Sequence, residues 1–187
     1  MDLVLFNFLH NFAGESFIID ALGIFLARYL PYVMIFAGLF YILFKEDHWQ
    51  MKAFSGLFIF LTVLLSRGLF VHVVREFFEK FRPFDVIGFE PLFVPVNELA
   101  FPSGHAALLF SLSFALFLFN KKWGGWFLFL SFINGLARVF SGVHWPCDIL
   151  GGVVVGLVSF SLIYLLLEKQ YKVLYKREVA SDDLERL

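Results

Sequence analysis

Long apolar runs separated by short polar joints set the layout of this chain. Phe17 to Phe44 is interrupted only by Asp20, Arg28 and Pro31, and Ala53 to Val74 carries Ser66 and Arg67 in its later half. Ala106 to Asn120, Trp123 to Phe140 and Ile149 to Leu167 complete the series. A helix needs about 20 apolar residues to cross a hydrocarbon core, so the pattern predicts five spans, the third somewhat short unless it begins nearer Pro102. Pro31 removes a backbone donor and predicts a kink or restart in the first. Met1 to Phe12 sets Leu3, Phe6 and Leu9 at helical spacing with Asn7, His10 and Asn11 between them. It is too short to cross and reads as a helix lying at the interface.

The joints differ in character. Lys45 to Lys52 is a short polar loop, and Lys121-Lys122 marks a turn. Residues 75–105 mix charges, Pro83, Pro91 and Pro95 with many Phe residues, too broken for a span and too long for an idle connection. Residues 168–187 form a charged tail, expected to be helical at first and then frayed. Alternation of five spans puts the loop at 45–52, the Lys121-Lys122 turn and the tail on one side. That side holds Lys45, Lys52, Lys121, Lys122, Lys169, Lys172, Lys176, Arg177 and Arg186, nine of fifteen Lys and Arg. The positive-inside rule makes it cytoplasmic. Residues 75–105 and 141–148 then meet on the extracytoplasmic face of the cell membrane, and 1–187 reads as one membrane-embedded domain.

Composition agrees and excludes other classes. Apolar residues make up 60% and Phe alone contributes 28 of 187, against about 45–50% apolar in soluble domains. A net charge of -1 gives no basic field for nucleic acid. The amino end lacks the basic start and cleavage site of a secretory signal and is expected to be retained. The one cysteine, Cys147, forms no internal disulfide and no Cys-x5-Arg motif, since position 153 is Val; it reads as passive. His10, His48 and His72 lack metal-site spacing. Arg67 reads as paired or snorkelling; Asp20, Glu15 and Arg28 could contact a headgroup but read first as a structural pair near the interface.

Ionisable side chains are costly at membrane depth and mark functional sites. Three groups converge on the outward face: Arg75 with Arg82-Pro83, then Pro102-Ser103-Gly104-His105, then Arg138 with His144 and Asp148. Arginines present planar donors matched to phosphate oxygens, so Arg75, Arg82 and Arg138 can surround one phosphoryl group. Ser103 and Gly104 precede a helix, where free amides and the dipole favour an anion. Neutral His144 can attack phosphorus while protonated His105 donates to the departing oxygen. Asp148, four residues beyond His144, can accept the other ring N–H and fix the tautomer. Pro146 suits the first turn of the last helix. No metal or other cofactor is required, because cations and helix-end amides offset the charge that builds in phosphoryl transfer.

Arg75-x6-Arg82-Pro83, Pro102-Ser103-Gly104-His105 and Arg138-x5-His144-x3-Asp148 resemble the three motifs of the type 2 phosphatidic acid phosphatase superfamily, which shares its site with vanadium haloperoxidases. The family's first motif begins with lysine; Arg75 keeps the charge and changes the reach. Its third often begins Ser-Arg, here Ala137-Arg138. The resemblance implies an all-α multi-pass helix bundle in which His144 forms a phosphohistidine, Asp148 assists, and His105 is the general acid. Arg75, Arg82, Ser103, Gly104 and Arg138 would bind phosphate. Small size, Asn11-Phe12-Ala13-Gly14 and Ala27-Arg28-Tyr29-Leu30-Pro31-Tyr32 look like the bacterial undecaprenyl-diphosphatases of the bacitracin-resistance type. That likeness implies release of one phosphate from undecaprenyl diphosphate and recycling of the carrier lipid.

Two other readings stand beside it. The same site can serve phosphatidylglycerol phosphate, phosphatidic acid or the 1-phosphate of lipid A. A different class is a lipid-binding or transport protein that holds phosphate without cleaving it. Oligomeric state is not legible in the chain.

Overall fold

Caps and prolines set where the helices begin, and apolar faces set how they pack. The computed structural model describes residues 2–45, 49–95 and 99–185. His48 and Arg186, the first read as lacking metal-site spacing and the second counted on the cytoplasmic side, lie outside the described residues, as do Met1 and 96–98 of the long joint. Seven helices are described: α1 (Asp2–His10), α2 (Phe17–Phe44), α3 (Trp49–Phe77), α4 (Pro83–Ile87), α5 (Gly104–Phe119), α6 (Lys121–Phe140) and α7 (Pro146–Glu185). Among the described residues there is no strand, only an isolated antiparallel bridge between Phe81 and Leu99. The fold is an all-α, multi-pass membrane bundle.

Helices α2, α3 and the Pro146–Arg177 part of α7 are each long and apolar enough to cross a membrane. Helix α5, shorter at 16 residues, and α6 at 20 supply the enclosed interior. Several boundaries differ from the sequence reading. The second span is longer than Ala53–Val74 and takes Arg75 into its last turns. The joint expected at 75–105 therefore starts within a helix, and α4 interrupts it. The tail, expected to be helical at first and then frayed, continues α7 as helix to Glu185.

Helix α5 packs against both α6 and α7. The Asn120 side chain accepts from the amides of Lys122 and Trp123, each at 3.1 Å, which starts α6 immediately after α5 ends. Two α7 glycines permit close approach: a Cβ on Gly152 would meet Ser103 O at 2.7 Å, and one on Gly156 would meet Ser111 N at 2.9 Å. Buried hydroxyls cross between helices, Ser113 to Ser131 at 2.9 Å and Ser66 to Ala107 O at 3.0 Å, the kind of polar contact that joins helices where lipid supplies no hydrophobic drive. Leu30, Met34, Phe58, Leu109, Leu116 and Phe127 fill the core, while Phe36, Phe60, Phe132 and Leu165 point outward.

Pro31 does not stop α2. A π-helical turn, Phe25–Tyr29, precedes it, and the Leu30 N–H donates to Phe25 O. That takes the α-helical donor away from Leu26 O, and Pro31 has no N–H to give Ala27 O. A second π segment, Leu64–Phe70, lies in α3. Such segments often occur at functional sites.

Candidate active site

The two carbonyls released in α2 anchor the third motif. Asn134 Nδ2 donates to Leu26 O at 2.6 Å and Ala27 O at 3.2 Å, and Arg138 Nη1 donates to Ala27 O at 3.0 Å. Arg138 and Asn134 share one face of α6, four residues apart. The spacing from Arg138 to His144 follows from how α6 ends. Gly142 has a left-handed φ of 79°. The Gly142 amide bonds Val139 O at 3.0 Å and the Val143 amide bonds Arg138 O at 3.2 Å, the paired bonds of a Schellman cap. His144 comes directly after this cap. Helix α7 then begins at Pro146, and Asp148 Oδ2 accepts the Trp145 amide at 2.8 Å in the manner of a capping box.

Six of the eight residues named from sequence line one cavity of about 260 Å³: Arg75, Arg82, Gly104, His105, Arg138 and His144. Ser103 and Asp148 stand behind it. The Ser103 hydroxyl caps α5, accepting the Ala106 amide at 3.5 Å, and its own amide donates to Asp148 O at 2.9 Å. The arginines are tied to backbone: Arg75 Nη2 to Pro102 O at 3.2 Å and Arg82 Nη1 to Val143 O at 2.6 Å. Among the described residues, Arg75 Nε and Arg138 Nε are buried donors without a partner. Buried donors of that kind are costly unless a ligand satisfies them.

His144 is buried, with Nδ1 3.4 Å from Asp148 Oδ2 and Nε2 3.4 Å from Arg82 Nη1. At that length the carboxylate orients the ring more than it binds it. Burial, then Arg138, Arg82 and Arg75, lowers the His144 pKa well below 6.5. The ring is therefore neutral near pH 7, as a nucleophile must be. Burial and then Arg75 lower Arg82 to about 10, which leaves it charged at neutral pH.

Several supporting residues went unread in the sequence. Lys80 Nζ lies 3.0 Å from Asp148 Oδ1 and 3.2 Å from Asp2 Oδ2. Burial pushes the ammonium pKa down, but contacts with Cys147 Sγ, Asp148 and Asp2 raise it on balance. Cys147 is not a bystander: its amide and thiol both reach Asp2, at 2.9 and 2.7 Å. Helix α1 is thereby fixed to the third motif, also through His10 Nδ1 and Phe140 O at 2.8 Å and Phe6 packed on Trp145. Arg67 does not snorkel. It lines the cavity beside Gly104, where an added Cβ would fall 2.8 Å from its Nε. Arg28 also lines it with Tyr32, while Asp20, its expected partner, accepts the Gly14 amide at 3.0 Å. Periodicity assigns these groups to a face of a helix; it does not show that this face borders the cavity.

Known proteins resemble this chain in sequence and in fold. Residues 56–172 match the PAP2 superfamily, a stretch that contains all three motifs. The bacitracin transport permease protein BcrC of Bacillus licheniformis is 27% identical over 85% of this chain and 77% of its own length. The putative undecaprenyl-diphosphatase YbjG of Escherichia coli is 30% identical over 69% and 66%, respectively. A lipid A 4'-phosphatase of Bacteroides thetaiotaomicron is 29% identical over 89% and 76%. Among solved structures, Aquifex aeolicus LpxE superposes with a TM-score of 0.68 at 25% identity, covering 86% of this chain and 93% of that one. Arginines and histidines gathered at one end of a membrane bundle thus have their explanation in kinship: the chain belongs to the PAP2 superfamily and is a membrane lipid phosphatase.

Proposed function

We propose that the protein converts undecaprenyl diphosphate to undecaprenyl phosphate through a phosphohistidine, on the extracytoplasmic face of the cytoplasmic membrane. The observation that carries this reading is one cavity lined by both imidazoles and by arginines from all over the chain. Similarity to YbjG and BcrC supports the lipid, and the Lys and Arg count supports the face. In the proposed reaction the Nε2 lone pair of neutral His144 forms a bond to the terminal phosphorus. The bond from that phosphorus to the bridging oxygen breaks, its electron pair stays on the departing lipid phosphate, and His105 supplies the proton. Water then attacks the phosphohistidine, His105 takes a proton from it, and inorganic phosphate leaves with His144 restored. Arg75, Arg82, Arg138, Gly104 and the amides behind Ser103 hold the equatorial oxygens; Asp148 keeps the ring oriented and offsets its charge.

A second substrate reading, another lipid phosphate at the same site, is favoured by the similarity to the lipid A 4'-phosphatase. Phosphate release in mixed micelles separates them when undecaprenyl diphosphate, phosphatidylglycerol phosphate, phosphatidic acid and lipid A 1-phosphate are compared. The highest kcat/KM is expected for undecaprenyl diphosphate. A higher value for another lipid overturns that choice, and release from none of them supports a binding or transport role.

A further inference from the structure

Arg28 and Arg67 belong to none of the three motifs, yet both line the cavity with the catalytic histidines. Each sits in a π-helical segment, Arg28 in Phe25–Tyr29 and Arg67 in Leu64–Phe70. π-helical turns are rare and frequently mark functional sites, and here they occur twice, each time with an arginine on the same cavity. Among the described residues no carboxylate pairs with either side chain. Arg67 packs close to Gly104, at the start of α5, where an added Cβ would fall 2.8 Å from its Nε, so it borders the place assigned to the reacting phosphoryl group. Arg28 lines the cavity from α2, its guanidinium 5.8 Å from the Tyr29 ring centre, with Tyr32 one turn on.

We infer that Arg28, Arg67 and Tyr32 form a second phosphate subsite next to the catalytic one, so that the cavity takes a diphosphate with its non-reacting phosphate on α2 and α3. Three motif arginines already match the charge of one phosphoryl group. Two further guanidiniums and a phenol match a second phosphate joined to it. The position also suits a prenyl tail. Close contact between α2 and α3 runs through Leu30–Lys45 and Trp49–Val63. Nearer the cavity, Phe25, Leu64 and Leu69 are exposed, an apolar edge for a chain leaving the second phosphate toward lipid.

This inference rests on the diphosphate reading but can fail separately from it. The full-length protein in detergent is assayed with farnesyl diphosphate and farnesyl phosphate, and inhibition by methylenediphosphonate is compared with inhibition by inorganic phosphate. In the wild type, methylenediphosphonate should bind at least about tenfold more tightly than phosphate. Arg28→Gln and Arg67→Gln should each lower the ratio of diphosphate to monophosphate kcat/KM by about tenfold, and Arg28→Lys should recover part of it. Equal affinity for the two inhibitors in the wild type overturns the subsite even when a variant fails to fold. So does an unchanged ratio in folded variants. If the wild type prefers methylenediphosphonate but rejects undecaprenyl diphosphate, the subsite stands and the lipid assignment falls.

Discussion

Asn134 shows how a side chain outside the motifs can govern one inside them. Its amide fills the two carbonyls that Pro31 and the π turn release, and Arg138 shares one of them. Asn134→Ala leaves Leu26 O buried without its donor, at a cost of about 1–3 kcal/mol. It also loosens the support under Arg138, and misplacement by about 1 Å can cost about a hundredfold in rate. We expect kcat/KM to fall at least tenfold, with a lower thermal midpoint; full activity at an unchanged midpoint would remove Asn134 from the account. His144 supplies a pH test. The folded chain keeps this ring neutral where the unfolded chain, at pKa 6.5, binds a proton. Its contribution to stability is thus complete above that pH and drains as pH falls toward the lower folded value. Since kcat/KM reports the free enzyme, the acid limb due to His144 should lie well below pH 6.5. A limb at 6.5 contradicts the burial argument. At this scale the motif residues were legible, because arginine, histidine and aspartate at fixed spacing in an apolar chain have few other uses. Lys80, Asp2 and Asn134 were not: each matters through a contact with a residue between 68 and 145 positions away or with a carbonyl released by someone else's proline.

At the scale of elements, the site depends on where α5 and α7 begin. Ser103 caps the first and Pro146 with Asp148 starts the second, and the Ser103 amide bonds Asp148 O to join the two ends. Gly152 keeps them in register, since its Cα faces Ser103 O and the Ala107 amide. Gly152→Val forces backbone rather than a flexible side chain to move. Overpacking of this kind costs about 1–3 kcal/mol, and here it displaces both Gly104 and His105. Activity should fall more steeply than stability, as a kcat measurement beside a thermal melt would show; an active variant with the wild-type midpoint would separate this contact from the site. Apolar periodicity located these spans, and Ser103 and Pro146 marked starts that the structure retains. It missed the extra turns of α3 and the full length of α7, because charged residues at helix ends look like loop in a hydropathy pattern. The π turns were invisible for a related reason: a one-residue register shift leaves composition unchanged.

For the whole molecule, the long joints serve to bring distant motifs to one end of the bundle. Arg75 comes from the end of α3, His105 from the start of α5 and Arg138 from the end of α6, which alternating helices place together. Helix α1, read as interfacial, is also a brace: Asp2 and His10 hold the beginning of α7 and the end of α6. The sequence reading reached the bundle and the meeting of the motifs through topology alone. It could not reach the brace, since nothing in a short amphipathic stretch names its docking partner. Because charge neutralisation is assigned to arginines and helix-end amides, phosphate release should persist within about twofold in EDTA. Loss that magnesium or zinc restores would instead require a metal in the reaction.

The claim everything else depends on is that phosphorus passes through His144. A turnover with lipid diphosphate labelled at its terminal phosphorus, quenched in alkali and mapped by mass spectrometry, tests it directly. The account predicts label on His144 in the wild type, and neither label nor turnover in His144→Ala. Label on another residue, or wild-type turnover by His144→Ala, would contradict it.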